Sequence, residues 1–272
     1  MKTTTILYGL LAVATTTLAA PGTTARRARH DARNAGSLRS HPFIPANVTG
    51  QVNGPDNEQQ TSYSTNWAGA ALVGTGYTGI SGTFVVPTPS EPSGGSSSTT
   101  YSASAWVGLD GYTCTSAILQ TGIDLTVKNG AVSYDAWYEW YPDYAYDFSG
   151  LSISAGNTIK LSIVATSKTA GTATIENVST GKTVSHSFTS ESNQLCETNA
   201  EWIVEDFTQN DALVPLADFG TVTFTGASVT TASGSVGVSG AQIIDLSKSG
   251  SSSNLEAKAS TSGSSEVVVT YV

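Results

Sequence analysis

The 272 residues carry 12% charged side chains, 39% hydrophobic ones and a formal net charge of −9. That apolar content excludes a disordered chain, and the acidic balance argues against nucleic acid as a partner, since phosphates select basic surfaces. Leu, Lys, Arg and Met are scarce while Val, Thr, Ile, Tyr and Trp recur in short runs, which favours an all-β protein of one large domain or two small ones.

Residues 1–19, MKTTTILYGLLAVATTTLA, combine one Lys, a short apolar run and small residues near Ala19. This pattern predicts a secretory signal peptide cleaved after Ala19, because cleavage after Ala20 would leave Pro21 next. The run is too short and too interrupted by Thr to span a bilayer, and no later stretch is apolar enough. The expectation is an extracellular protein with no membrane partner.

Residues 20–59 differ in character. All five arginines (26, 27, 29, 33 and 39) fall in this region, whereas from residue 60 onward six lysines face eighteen carboxylates. An unstructured tail is the plain alternative. A secretory signal before it and a compact acidic domain after it favour a propeptide that covers the acidic face and inhibits the mature domain, residues 60–272. Falling pH would neutralise that face and release the segment. A domain so poor in basic groups repels itself at neutral pH. Once its carboxylates are protonated, few charges remain, so stability and activity in acid are expected.

From residue 63 the chain alternates strand and turn. Candidate strands are YSTNWAGAALV, GISGTFVVP, TYSASAWVGLD, AILQTG, VSYDAWYEWY, TIKLSIVAT, GTATIENV, KTVSHSFT, NAEWIVEDF, TVTFTGASV, AQIIDL and EVVVTYV. Gly, Pro, Ser, Asn and Asp clusters separate them. A dozen short strands at this spacing predict a sandwich or barrel. We read it as one domain of two large antiparallel sheets packed face to face, and as a monomer.

Cys114 and Cys196 are the two cysteines. In a secreted chain such a pair most simply forms one disulfide, worth about 4–5 kcal/mol in the chain-entropy model. Asn177-Val-Ser and Asn47-Val-Thr are candidate glycosylation acceptors.

Elimination narrows the chemistry. The domain's one histidine, His186, lies in a polar-alternating strand and reads as a surface residue. No G-x-S-x-G elbow, H-E-x-x-H helix, Cys/His cluster or phosphate loop is present. No metal and no cofactor is expected. Carboxylates, amides and aromatics remain. In YDAWYEWYPD (134–143), strand alternation puts Asp135, Trp137, Glu139 and Tyr141 on one face and Ala136, Tyr138 and Trp140 on the other. Carboxylates among aromatic rings are partly desolvated, which raises their pKa. In NAEWIVEDF (199–207), Glu201, Ile203, Glu205 and Phe207 share one face, and Trp202, Val204 and Asp206 the other.

The segments YSTNWAGA (63–70), AWVGLDGYTCTSAILQTGID (105–124), YDAWYEWYPD (134–143) and CETNAEWIVEDF (196–207) resemble the fungal glutamic peptidases, the eqolisins. The resemblance runs from about residue 61 to Val272. It implies a secreted, acid-active endopeptidase with a prosegment. The implied fold is a concanavalin-like sandwich of two antiparallel sheets of about seven strands each. It also implies a catalytic dyad of Gln120 and Glu205, in a cleft lined by Trp67, Asp110, Asp124, Asp135, Trp137, Glu139, Tyr141 and Phe207, with polypeptides as substrates. Glu205 would act as general base and acid on water, and Gln120 would stabilise the oxyanion. Two alternatives use the same residues: a sandwich-type glycoside hydrolase with Asp135 and Glu139 as its carboxylate pair, and a lectin-like module whose aromatics stack on sugars.

Overall fold

The structure, a computed structural model, describes residues 38–46, 61–249 and 254–272. The expected signal peptide and Asn47 lie outside them. The first strands are β1 (Leu38–Arg39), β2 (Thr61–Ser64), β3 (Trp67–Val73), β4 (Gly79–Val85), β5 (Tyr101–Leu109), β6 (Ile118–Lys128) and β7 (Ala131–Tyr141). Then come β8 (Tyr146–Asp147), β9 (Thr158–Ser167), β10 (Ala170–Asn177), β11 (Lys182–Phe188), β12 (Asn199–Glu205), β13 (Thr208–Gln209) and β14 (Ala212–Leu213). The last are β15 (Thr221–Thr231), β16 (Gly234–Val236), β17 (Gln242–Ser247), β18 (Leu255–Ser262) and β19 (Glu266–Tyr271). No helix occurs among the described residues.

Two antiparallel layers pack face to face. The larger runs β19-β18-β17-β3-β12-β5-β6-β7-β8, with β2 joining β17 in parallel. The smaller runs β11-β10-β9-β4-β15, with β16 on β15. β15 belongs to both layers: Thr221–Phe224 pair with β19, and after an irregularity between Thr225 and Ser228 the strand continues along β4. The irregularity bends the strand from one layer into the other, as bulges do. β9 lies over β5 and β6, and β4 over β5 and β12. The core between the layers takes alternate residues of each strand, such as Ala103, Ala105, Val107 and Leu109 of β5, and Ala200, Trp202 and Val204 of β12.

The same alternation sends the other residues of the large sheet to its outer face. There Trp67, Ala71, Trp106, Ile118, Trp137, Ala145, Ile203 and Ile244 form a second buried cluster. A sheet apolar on both faces cannot leave either to water. This outer face is the floor of the cleft described below. The hairpin between β6 and β7 turns through Asn129 and Gly130, both at positive φ, as the Asn-Gly dipeptide predicts. β18, LEAKASTS, escaped the sequence reading. Glu256 and Lys258 interrupt it, and Ala257 is its one fully buried residue, so its pattern lacks an apolar face.

Cys114 and Cys196 are bonded, with Cα atoms 6.2 Å apart. Two surface expectations are corrected. Asn177 is fully buried, and its amide nitrogen donates to Ser152 O (3.0 Å) and Asn157 Oδ1 (2.9 Å). Its side chain has no room for a glycan, although Val178 and Ser179 of the same sequon are exposed. His186 is half-buried, its ring stacked on Tyr138 at 4.0 Å between centroids.

Candidate active site

Strand register brings the acidic and aromatic residues into three rows across the outer face of the large sheet. One row is Trp67, Glu205, Ser104, Asp124 and Asp135. The next is Gly69, Ile203, Trp106, Gly122 and Trp137. The third is Ala71, Glu201, Gly108, Gln120 and Glu139. Gln120 and Glu205 therefore sit diagonally on one face, on either side of a tryptophan floor. Both are fully buried. Each arrives there because its strand alternates small or apolar core residues with polar outer ones.

Glu205 is held rigidly. Trp106 Nε1 donates to its Oε2 at 2.9 Å, and the backbone N–H of His41 donates to its Oε1 at 3.0 Å. Burial pushes its carboxyl up to about 8, although these donors and Ser40 pull the other way. Asp124 accepts from Ser104 Oγ (2.7 Å), and Ser104 Oγ in turn accepts from Trp137 Nε1 (3.0 Å). Phe207, Trp137, Ala145, Ser104 and Asp124 line a pocket together with Leu38, Arg39 and Ser40. Tyr141 is half-buried at the cleft edge, and Asp135 is exposed at the outer end of its row.

Asp110 does not line this cleft. It is fully buried at a φ of 67°, and its carboxylate accepts the backbone N–H groups of Cys196, Glu197, Thr198 and Asn199 at 2.8–3.1 Å. Its oxygens are committed to the loop carrying the disulfide, so its role is to hold that loop at the end of β12. The Cys114 and Cys196 sulfurs beside it are bonded to each other and offer no thiolate to a metal.

Residues 38–46 lie across the site. β1 pairs with β13 (Leu38 with Gln209, Arg39 with Thr208). The Arg39 guanidinium sits 4.4 Å from the Tyr144 ring centre. Ser40 N points to Glu139 Oε2 at 3.4 Å, and His41 Nε2 meets Thr208 Oγ1 at 2.8 Å. Phe43 packs edge-on against Trp67 and Tyr112. Asn66 clamps the segment: its Oδ1 accepts Ile44 N (3.0 Å) and its Nδ2 donates to Pro42 O (3.2 Å). A polypeptide backbone thus runs through the cleft, with one peptide N–H on the Glu205 carboxyl.

Residues 65–271 match the peptidase A4 family model. The chain belongs to this family. It is 51% identical over 290 aligned positions to aspergillopepsin-2 of Aspergillus niger, covering 100% of both chains. It is 44% identical over 255 positions to scytalidopepsin B of Scytalidium lignicola, covering 90% of each. The crystal structure of scytalido-glutamic peptidase with a transition-state analogue inhibitor superposes with a TM-score of 0.68, covering 76% of this chain and 98% of that one. This peptidase A4 chain is accordingly a hydrolase of peptide bonds, an endopeptidase. The sugar-cleaving and sugar-binding alternatives fall away.

The sequence reading missed Ser104, Trp106 and Asn66. All three stood inside or beside the motifs it used. Nothing in their identity announced that Trp106 faces Glu205 rather than the core. Strand parity with Glu205 only becomes usable once the β5–β12 register is known.

Proposed function

We propose that this peptidase is a secreted, acid-active endopeptidase working through Glu205 and Gln120, and that residues 20–59 form its inhibitory propeptide. The observation that carries this reading is the peptide N–H of His41 lying 3.0 Å from Glu205 Oε1. That is where the leaving nitrogen of a scissile peptide must be if Glu205 is to hand it a proton.

The chemistry follows in three movements. Glu205 as carboxylate takes a proton from a water, whose oxygen adds to the peptide carbonyl carbon. The Gln120 Nε2 hydrogens donate to the oxygen that becomes negative. Protonated Glu205 gives its proton to the nitrogen as the C–N bond breaks, leaving a carboxyl and an amine. An amide donates at any pH, so Gln120 needs no particular protonation state in acid. In the covered cleft, burial keeps Glu205 neutral and unable to act as a base. An open cleft rehydrates it, which brings its titration back toward the ordinary carboxylate range and into acid. Residues 1–19 would direct export.

The test is cleavage of an unfolded protein at about pH 3 and about pH 7, bracketing carboxyl titration, with Glu205→Gln and Gln120→Ala alongside. Cleavage in acid only, absent from both variants, is the expected result. Clear turnover by Glu205→Gln removes Glu205 as the base.

A further inference from the structure

Glu201 is a buried carboxyl that the chemistry above does not use. It is fully buried on the cleft face, and neither of its oxygens has a hydrogen-bond partner among the described residues. Gln120 is likewise fully buried with both amide atoms unpartnered. The two stand in one cross-strand row with only Gly108 between them. A β-carbon built on Gly108 would lie 3.1 Å from Glu201 Oε1 and 3.2 Å from Gln120 Cβ, so those two atoms are at most 6.3 Å apart. The Gln120 amide begins two bonds beyond that β-carbon. Position 108 itself carries no side chain, and the edge of the Trp106 ring, from the same strand, borders the gap, with Cζ3 2.8 Å from that β-carbon position.

A carboxyl with no partner in a strand core is unfavourable, and an apolar side chain of similar size would bury better there. Packing therefore gives no reason for a glutamate. Gln120 supplies one. An amide can face the substrate with either end, and only its nitrogen end stabilises an oxyanion.

We propose that Glu201 is the positioning residue for Gln120: the two unpartnered groups pair when substrate occupies the cleft, the carboxyl O–H donating to Gln120 Oε1, so the Nε2 hydrogens face the substrate oxygen. The idea rests on Gln120 as the oxyanion donor. In its protonated form the carboxyl can donate, and its surroundings favour that form. Burial, and secondarily the Asp110 carboxylate, push Glu201 well above the ordinary carboxylate range. The other carboxyls on this face of the sheet are Glu139 and Asp135 on β7, Asp124 on β6 and Glu205 on β12 itself, and the segment laid over them brings His41 and Arg39. The one basic residue in β3, β5, β6, β7 or β12, Lys128, is exposed at the far end of β6. Loss of the Glu201 proton would reverse the preference, because a carboxylate attracts the Nε2 end and turns Oε1 toward the substrate.

The test compares Glu201→Leu and Glu201→Gln in the full chain, using kcat and KM in acid and the pH profile of each. Leu removes the donor while suiting the apolar surroundings. Gln keeps an N–H donor that cannot ionise. We expect Glu201→Leu to lose about tenfold to a hundredfold in kcat with KM within a few-fold, the cost of a misaimed group. We expect Glu201→Gln to keep kcat within about threefold and to hold activity to higher pH than the parent. A Glu201→Leu enzyme with parental kcat, or a Glu201→Gln enzyme as impaired as Glu201→Leu, overturns the proposal. If Gln120→Ala retains activity, it is the dyad reading that has failed.

Discussion

Replacing Glu205 by Gln should flatten the dependence of stability on pH, so that the variant gains on the parent as pH rises from acid to neutral. Burial raises the Glu205 carboxyl from 4.5 to about 8. A raised folded-state value means the folded chain holds its proton more tightly than the unfolded chain. The stabilisation is then complete below about pH 4.5 and is lost as pH rises toward 8. At about 1.4 kcal/mol per pH unit, Glu205 alone withdraws about 3 kcal/mol between pH 4.5 and pH 7. The Gln variant is neutral throughout and escapes this loss. For a domain of this size, 3 kcal/mol corresponds to about 6–12 °C in Tm. Thermal melts at pH 4 and pH 7 read the difference. Both proteins should carry Gln120→Ala, so that neither digests its own unfolded chains. A Tm difference that moves by about 6–12 °C in the variant's favour between pH 4 and pH 7 is expected. A gap of the same size at both pH values would refute the argument, because it would show that Glu205 is ionised, or neutral, across the whole range.

Asp110→Asn should cost at least 3 kcal/mol, read as the denaturant midpoint, because one amide oxygen cannot replace a carboxylate accepting four backbone N–H groups. Trp106→Phe removes the 2.9 Å donor to Glu205 Oε2. Since that donor favours the carboxylate form, the acid limb of the pH–rate profile should move to higher pH, with activity down about tenfold to a hundredfold. A chain starting at residue 61, refolded, should be active where the full chain is latent. A synthetic peptide covering residues 36–46 should inhibit it, with Arg39→Ala and Phe43→Ala peptides weaker; equal inhibition by all three would place the affinity elsewhere. Stability should also fall from pH 4 to pH 6 through Asp206, which burial raises to about 6 despite its Lys248 partner, and Asp206→Asn should remove that part of the slope.

Strand parity was legible from residue identity alone. YDAWYEWY and NAEWIVE alternate so regularly that Trp137 and Glu139 could be put on one face of their strand, and Glu201 and Glu205 on one face of theirs, before any pairing was known, because period 2 is a local property of an extended backbone. The cysteine pair, the all-β class and the basic segment ahead of the acidic domain were equally local or compositional. Tertiary structure decided what those faces meet. It put Asp110, a residue of the right type in the right motif, beneath four backbone N–H groups instead of in the cleft. It folded Asn177 inward, and it brought Trp106 and Asn66 to the Glu205 carboxyl. It laid Leu38–Ala46 across Glu205 and Glu139, between chain positions 99 to 164 apart. Cross-strand register and long-range closure depend on the whole core packing at once, and no window of sequence contains them.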